Sequence, residues 1–135
     1  MYKIIVCYLF TCFDQHKSLE KFIENYKKYN PGTDHTLLIC FKMLKEKDIL
    51  LIKNYLKNVN YTPFIDPIKT NDFDFGSYKR VAQLHHDKRI LFLNSHSYPI
   101  CNNWLSKLIK NNNINFFVGT SASNESIFDS IKLKK

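Results

Sequence analysis

Residues Lys3–Phe10, KIIVCYLF, form an almost unbroken apolar run that is rich in β-forming side chains. A strand that is covered on both faces has such a continuous apolar sequence, whereas a strand with one solvent-exposed face alternates apolar and polar residues. The run therefore predicts a buried first strand of a sheet that carries helices.

The segment after this strand, residues 14–32, has the spacing of an amphipathic helix. Its apolar residues recur at intervals of three and four, as on one helix face; they are Leu19, Phe22, Ile23, Tyr26 and Tyr29. We expect a capping residue near Asp14 or Ser18 and a stop at Asn30-Pro31-Gly32.

The same alternation continues to the end of the chain. Strands are predicted at 35–41, 61–65, 89–93 and 114–119, and helices at 45–60, 78–86, around 104–109 and at 124–131. Pro63 marks the strand at 61–65 as an edge strand, because proline cannot donate to a ladder. We therefore expect a single α/β domain over 1–135, with a mainly parallel sheet in a three-layer α/β/α arrangement. Ligands of such sheets bind beyond the carboxyl ends of the strands.

The composition of the chain limits the kinds of binding partner that we expect. The formal net charge is +8, which favours anionic partners such as nucleotides, phosphates, nucleic acid or a membrane surface. Only Arg80 and Arg89 supply guanidinium groups, so we expect no specific nucleic-acid recognition. The four cysteines form no C-x-x-C pair, which is typical of a reduced cytoplasmic chain. No apolar run approaches the roughly 18 residues of a membrane span, so we expect no transmembrane segment.

Several common site motifs are missing from the sequence. There is no G-x-G-x-x-G after the first strand, no G-x-x-x-x-G-K-[ST] and no G-x-S-x-G. These absences argue against dinucleotide binding of the usual kind, P-loop phosphate binding and serine-hydrolase catalysis.

The loop NDFDFGSYKR, residues 71–80, is the richest in polar side chains. Asp72 and Asp74 stand just before the predicted helix, where carboxylates either cap backbone N–H groups or accept from sugar hydroxyls. Lys79 and Arg80 follow on its first turn and face either a phosphate or water.

A second polar cluster, NSHS at Asn94–Ser97, ends the predicted strand 89–93. It offers an amide, two hydroxyls and an imidazole, but no carboxylate of the kind that Mg²⁺ and Mn²⁺ prefer. Hydrogen bonds rather than a metal are expected to hold a ligand there. His85 and His86 are adjacent on a helix, point apart, and are not expected to bind a metal.

Taken together, residues 73–108, FDFGSYKRVAQLHHDKRILFLNSHSYPICNNWLSKL, resemble the core of GT-A glycosyltransferases, especially the family-2-like group of polysaccharide synthesis. The resemblance implies a Rossmann-like nucleotide-binding core and a UDP- or GDP-sugar donor. It implies that Tyr8, Phe10 and Thr11 face the base, and that Asp74 and Gly76 lie near the ribose or sugar. Asn94, Ser95 and His96 would lie near the diphosphate.

The chain departs from that family at three places. Asn94-Ser95-His96 stands where the family has its acidic D-x-D motif, so no metal ligand and no certain cofactor is assigned, and a divalent metal such as Mn²⁺ or Mg²⁺ is doubtful. Lys42-Met43 replaces the acid that helps to hold uracil, and the chain ends soon after the fifth predicted strand. Lys42, Lys79 or His96 would then offset the phosphate charge.

Two functions stay open. The first is nucleotide-sugar binding with hexosyl transfer to a glycan acceptor, with the acceptor half supplied by a partner protein and with the catalytic residues unassigned. The second is a GT-A-derived binding or interaction module that has lost transfer.

Overall fold

A computed structural model of the chain describes residues 3–110, and these residues form four strands and four helices. In chain order the elements are β1 (Ile4–Thr11), α1 (His16–Lys28), β2 (Thr36–Lys42), α2 (Glu46–Tyr55), β3 (Thr62–Ile65), α3 (Phe73–Leu84), β4 (Arg89–Leu93) and α4 (Trp104–Ile109). The predicted fifth strand at 114–119 and last helix at 124–131 lie outside the described residues.

The four strands form one all-parallel sheet in the order β3-β2-β1-β4. From β1 the chain moves outward through β2 to β3, and then crosses back to place β4 on the other side of β1. The strand order therefore reverses between β1 and β4, and the helices that follow these two strands, α1 and α4, contribute to the same apolar cluster. In open parallel sheets a ligand crevice lies at such a reversal, beyond the carboxyl ends of the two strands.

Both faces of β1 are buried, as its apolar run predicts. Val6, Tyr8 and Phe10 belong to a cluster that also contains buried residues of α1, α2 and α4. Ile5, Cys7 and Leu9 belong to a second cluster, in which α3 contributes Val81. Complete burial of a large apolar side chain is worth roughly 1.5–3 kcal/mol, so β1 anchors the whole sheet.

The turn that ends α1 also supports α4. Gly32 has φ +80°, and a β-carbon there would lie 2.5 Å from Ser106 Oγ. The backbone N–H of Asn103 donates to Asn30 O at 2.7 Å, and those of Leu105 and Ser106 donate to Pro31 O. The turn Asn30–Gly32 thus accepts hydrogen bonds from N–H groups that the short helix α4 leaves unpaired at its start.

The sequence predictions hold for the four strands within residues 3–110 and fail at two helix starts. The strand at 89–93 is confirmed with the same bounds, and β3 lies at one edge of the described sheet, as Pro63 indicated. The expected cap of α1 is wrong, because the helix begins after Gln15 without any side-chain cap. The third helix begins at Phe73 rather than near Tyr78, since residues 73–77 are helical and not a loop.

Within residues 3–110, no helix is both long enough and apolar enough to cross a membrane. The described sheet is four-stranded, parallel and flanked by helices, which agrees with the expected α/β class.

Candidate functional site

Four side chains form a cluster at the carboxyl ends of β1 and β4, which we call the switch-point cluster; they are Tyr8, Thr11, Asp14 and Ser95. Asp14 Oδ2 accepts hydrogen bonds from the Thr11 backbone N–H at 2.7 Å and from the Thr11 hydroxyl at 2.9 Å. The Ser95 hydroxyl donates to Asp14 Oδ1 at 2.5 Å. Both carboxylate oxygens are thus used, and the two loops are joined through one side chain.

Tyr8 contributes a buried side chain to the switch-point cluster. Its side chain is fully buried, stacks on Phe22 at a centroid distance of 4.1 Å, and donates its hydroxyl to Ser95 O at 3.0 Å. Burial raises the pKa of Tyr8, and the nearby charge of Asp14 raises it further. The phenol therefore stays protonated and remains a donor to the backbone that carries Ser95.

The side chain of Asn94 accepts two hydrogen bonds within the turn that follows β4. Its Oδ1 accepts from the His96 backbone N–H at 3.1 Å and from the Ser97 hydroxyl at 2.9 Å. This Asx turn uses the side-chain oxygen that would face a cation. With Asn94 Oδ1 engaged and Ser95 Oγ directed at Asp14, the residues at the D-x-D position do not fit a divalent metal. No group of three His, Cys, Asp or Glu side chains within residues 3–110 could hold one either.

A second polar cluster ties the carboxyl ends of β2 and β3 to the start of α3. We call it the ion network, and its members are Lys42, Asp66, Asp72, Ser77 and Arg80. Arg80 donates to Asp72 Oδ2 at 2.7 Å and to Asp66 Oδ2 at 2.6 Å. Lys42, only 1% exposed, contacts both the Asp72 carboxylate and the Phe73 carbonyl oxygen.

The charges of the ion network stabilise one another. Hydrogen bonds from Arg80 and then from Lys42 hold the pKa of Asp72 far below its usual range. Burial acts to raise the pKa of Asp66, but hydrogen bonds from Arg80, Ser77 and the Ile68 N–H outweigh it and lower that pKa. Hydrogen bonds to Asp72 and Asp66 in turn raise the pKa of Arg80. The cluster is therefore an ionised, internally paired unit.

Gly76 is required by the packing of the ion network. A β-carbon at residue 76 would overlap the carboxylate of Asp72, which lies across the first turn of α3. Glycine at this position lets the carboxylate reach Lys42 and Arg80.

A cavity of about 560 Å³ opens beside β4 and the loop that follows it. Its walls are mostly apolar and include Leu93, Pro99 and Trp104, while His96 and Lys107 bring polar groups to it. Its volume is in the range of small-molecule sites, and it adjoins the strand end at the reversal.

The structure brings some of the predicted site residues together and separates others. Tyr8, Thr11 and Ser95 meet in the switch-point cluster, and Lys42 and Gly76 meet at the carboxylate of Asp72. Phe10 is buried in the core, so only Thr11 of the three residues expected near the base is accessible. Asn94, His96 and Lys79 are exposed, and Asp74 is half-buried on α3. Contact of any of these residues with a ligand stays a prediction.

Sequence reasoning missed the residues that organise both clusters. Asp14 was interpreted as a helix cap, and Asp66 was not singled out. The available signals were weak: Asp66 directly follows β3, and Arg80 is one of only two arginines in the chain. To predict that Arg80 pairs with Asp66, one must know how close α3 lies to the end of β3, and the sequence does not contain that distance.

Comparison with known proteins adds no assignment, because no protein-family model matches the chain and no curated protein or solved structure shows significant similarity to it.

Proposed function

We propose that this chain is a glycosyltransferase-like protein whose core is a three-layer, Rossmann-like GT-A fold that binds a UDP- or GDP-sugar in the cytoplasm. The observation that carries the proposal is the position of Asn94–Ser97 at the reversal between β1 and β4, next to a cavity of about 560 Å³. A crevice at that point of a parallel sheet is the usual place for a nucleotide.

The residues that we propose to contact phosphate differ from those expected from the sequence. Lys42 is engaged by Asp72 inside the ion network, so it is not free to offset phosphate charge. His96 and Lys107 both line the cavity and can donate to the oxygens of a diphosphate. Lys107 was not among the residues singled out from the sequence.

Transfer, in this proposal, proceeds without the D-x-D metal, because Asn94 and Ser95 do not fit a cation. The acceptor is a glycan, and a partner protein supplies the acceptor-binding half. No residue of the described part is assigned as the catalytic base.

Isothermal titration calorimetry of the full chain tests donor binding. The ligands are UDP, GDP, UDP-glucose and GDP-mannose, each with and without Mn²⁺. We expect one nucleotide series to bind equally well in both conditions, and His96→Ala and Lys107→Ala each to weaken binding about tenfold through loss of a hydrogen-bond donor. Lys57→Ala, an exposed lysine beyond the end of α2, is the matched control and should bind as the parent does. Failure of every nucleotide to bind would remove the proposal.

A non-catalytic binding module is the second candidate, and one observation favours it. Asp14, Asp66 and Asp72 each accept at least two hydrogen bonds from protein groups, which leaves these carboxylates committed to structure. If calorimetry shows donor binding, incubation with radiolabelled UDP- or GDP-sugar distinguishes a transferase from a module that only binds. Slow release of free sugar indicates a working transferase site, whereas an intact donor after prolonged incubation indicates a module that only binds.

A further inference from the structure

Three phenylalanine side chains stand out from the rim at the carboxyl ends of the strands. Phe13 in the loop after β1 is 70% exposed, and Phe73 and Phe75 at the start of α3 are 73% and 81% exposed. We refer to these three residues as the aromatic rim. Clusters of large apolar side chains this exposed are uncommon on a surface that only meets water.

The backbone segments that carry the aromatic rim are bonded to the same residue. The Cys12 N–H, next to Phe13, donates to Lys42 O at 3.2 Å. The Lys42 ammonium group donates in turn to Phe73 O. Lys42 thus links the loop after β1 to the start of α3.

The structure holds Phe73 in a strained backbone conformation. Its φ is +60°, a left-handed value that costs a non-glycine residue free energy. The Phe73 N–H donates to Asn71 Oδ1 at 3.0 Å, and its carbonyl accepts from Lys42, so both ends of the residue are fixed. Fixing the backbone of an exposed aromatic residue in this way serves no burial in the described part of the chain.

The exposed charges around the aromatic rim are mainly positive. Lys45 and Lys47 follow β2, Lys69 lies in the loop after β3, and Lys79 lies on α3, all exposed. Glu46 is the exposed acid of these segments, whereas Asp48 and Asp74 are half-buried. Exposed apolar rings, on loops and helix starts whose neighbouring segments carry exposed lysines, complement the interface of an anionic bilayer.

We propose that the aromatic rim docks the protein on an anionic membrane surface, with Phe13, Phe73 and Phe75 entering the interface and the surrounding lysines facing lipid headgroups. Ile68, in the loop after β3, is also exposed. An aliphatic side chain is stabilised by entering a lipid interface, but it has no aromatic ring on which a nucleic-acid base could stack. Neither arginine is available there for nucleic-acid phosphates, because Arg80 is held in the ion network and Arg89 begins β4 at the other end of the sheet. A lipid surface is therefore favoured over single-stranded nucleic acid.

Vesicle co-sedimentation of the full chain tests this docking. We expect binding to phosphatidylcholine vesicles that contain phosphatidylserine, weakening with added salt, and little binding to phosphatidylcholine alone. Removing the rings in a Phe73→Asn, Phe75→Ser double variant should weaken partitioning by about tenfold or more. Leu84→Asn, which removes an exposed apolar side chain at the other end of α3, should bind as the parent does.

The same variants control for folding. Asparagine tolerates a left-handed φ, so thermal melts of the double variant should show no loss of stability. Absence of sedimentation with anionic vesicles, or sedimentation that the double variant leaves unchanged, would overturn the proposal. It would also be overturned if the double variant lost binding to an oligonucleotide while vesicles did not bind at all.

Discussion

The Ser95 hydroxyl lies 2.5 Å from Asp14 Oδ1 and so joins the loop that follows β1 to the loop that follows β4. At a reversal of strand order the loops usually leave an open crevice between them. Here a side-chain contact spans the gap, and the cavity lies to one side of it, beside β4. A ligand of the kind we propose would therefore enter next to the Asp14–Ser95 contact rather than through it.

Removal of the Asp14 carboxylate tests the importance of this junction. We expect Asp14→Ala to lower the free energy of unfolding by about 2 kcal/mol, because three hydrogen bonds are lost, and Ser95→Ala to lower it by about 1 kcal/mol. Urea unfolding of both single variants and the double variant gives the coupling free energy, expected near 1 kcal/mol. Gln15→Ala, an exposed neighbour, should stay within about 0.5 kcal/mol of the parent. A coupling near zero would mean that the contact contributes nothing.

Gly76→Ala tests the steric requirement inside α3. Alanine favours a helix interior by roughly 1 kcal/mol over glycine, so propensity alone predicts stabilisation. We expect destabilisation of about 1–2 kcal/mol instead, because the new methyl group displaces the Asp72 carboxylate from Lys42 and Arg80.

The background variant Asp72→Ala decides whether that reason is correct. With the carboxylate gone, Gly76→Ala should become neutral or stabilising in the same urea experiment. If Gly76→Ala still destabilises the chain by the same amount, the carboxylate is not the obstacle.

The sequence predicted the elements whose cause is local. The apolar run of β1 and the bounds of β4 follow from strand patterning, and Pro63 correctly indicated an edge strand. The start of α3 could not be predicted, because it depends on the contact of Asp72 with Lys42 across thirty residues of chain. Without that contact, the stretch at 71–77 has the composition of a loop.

The candidate site could likewise be predicted only in part. Its position at the ends of β1 and β4 follows from the βα alternation, and Ser95 was among the residues named from the sequence. The engagement of Asp14 by Ser95 could not be anticipated, since an aspartate just before a helix most often caps it. A carboxylate has several possible partners, and only the tertiary structure selects among them.

The ion network predicts a loss of stability in acid. Asp66 and Asp72 have folded pKa values below the unfolded value of about 3.9, so between these limits the unfolded chain binds more protons. Their contribution is complete above about pH 5 and is lost as the pH falls through the folded pKa values.

Urea unfolding between pH 6 and pH 2.5 measures this dependence. In Asp72→Asn the free energy of unfolding should be lower at pH 6 and should fall less steeply toward pH 2.5 than in the parent chain. Gln83→Ala, a neutral exposed change on the same helix, should keep the parent slope. An Asp72→Asn variant with the parent slope would show that this carboxylate does not drive the acid transition.

The four cysteines should differ sharply in reactivity. Burial raises the pKa of the Cys40 thiol to about 12, with the charge of Asp66 adding to it, and burial likewise raises the pKa of Cys7. Cys12 and Cys101 are exposed. Since the thiolate is the species that is alkylated, iodoacetamide at pH 8 should add two groups to the native protein, at Cys12 and Cys101, and four after denaturation. Peptide mass spectrometry locates the adducts, and Gly76→Ala should speed modification of Cys40 by the factor by which its loss of stability raises the unfolded population. Modification of Cys7 or Cys40 in the folded parent at the rate of Cys12 would contradict the burial of β1 and β2.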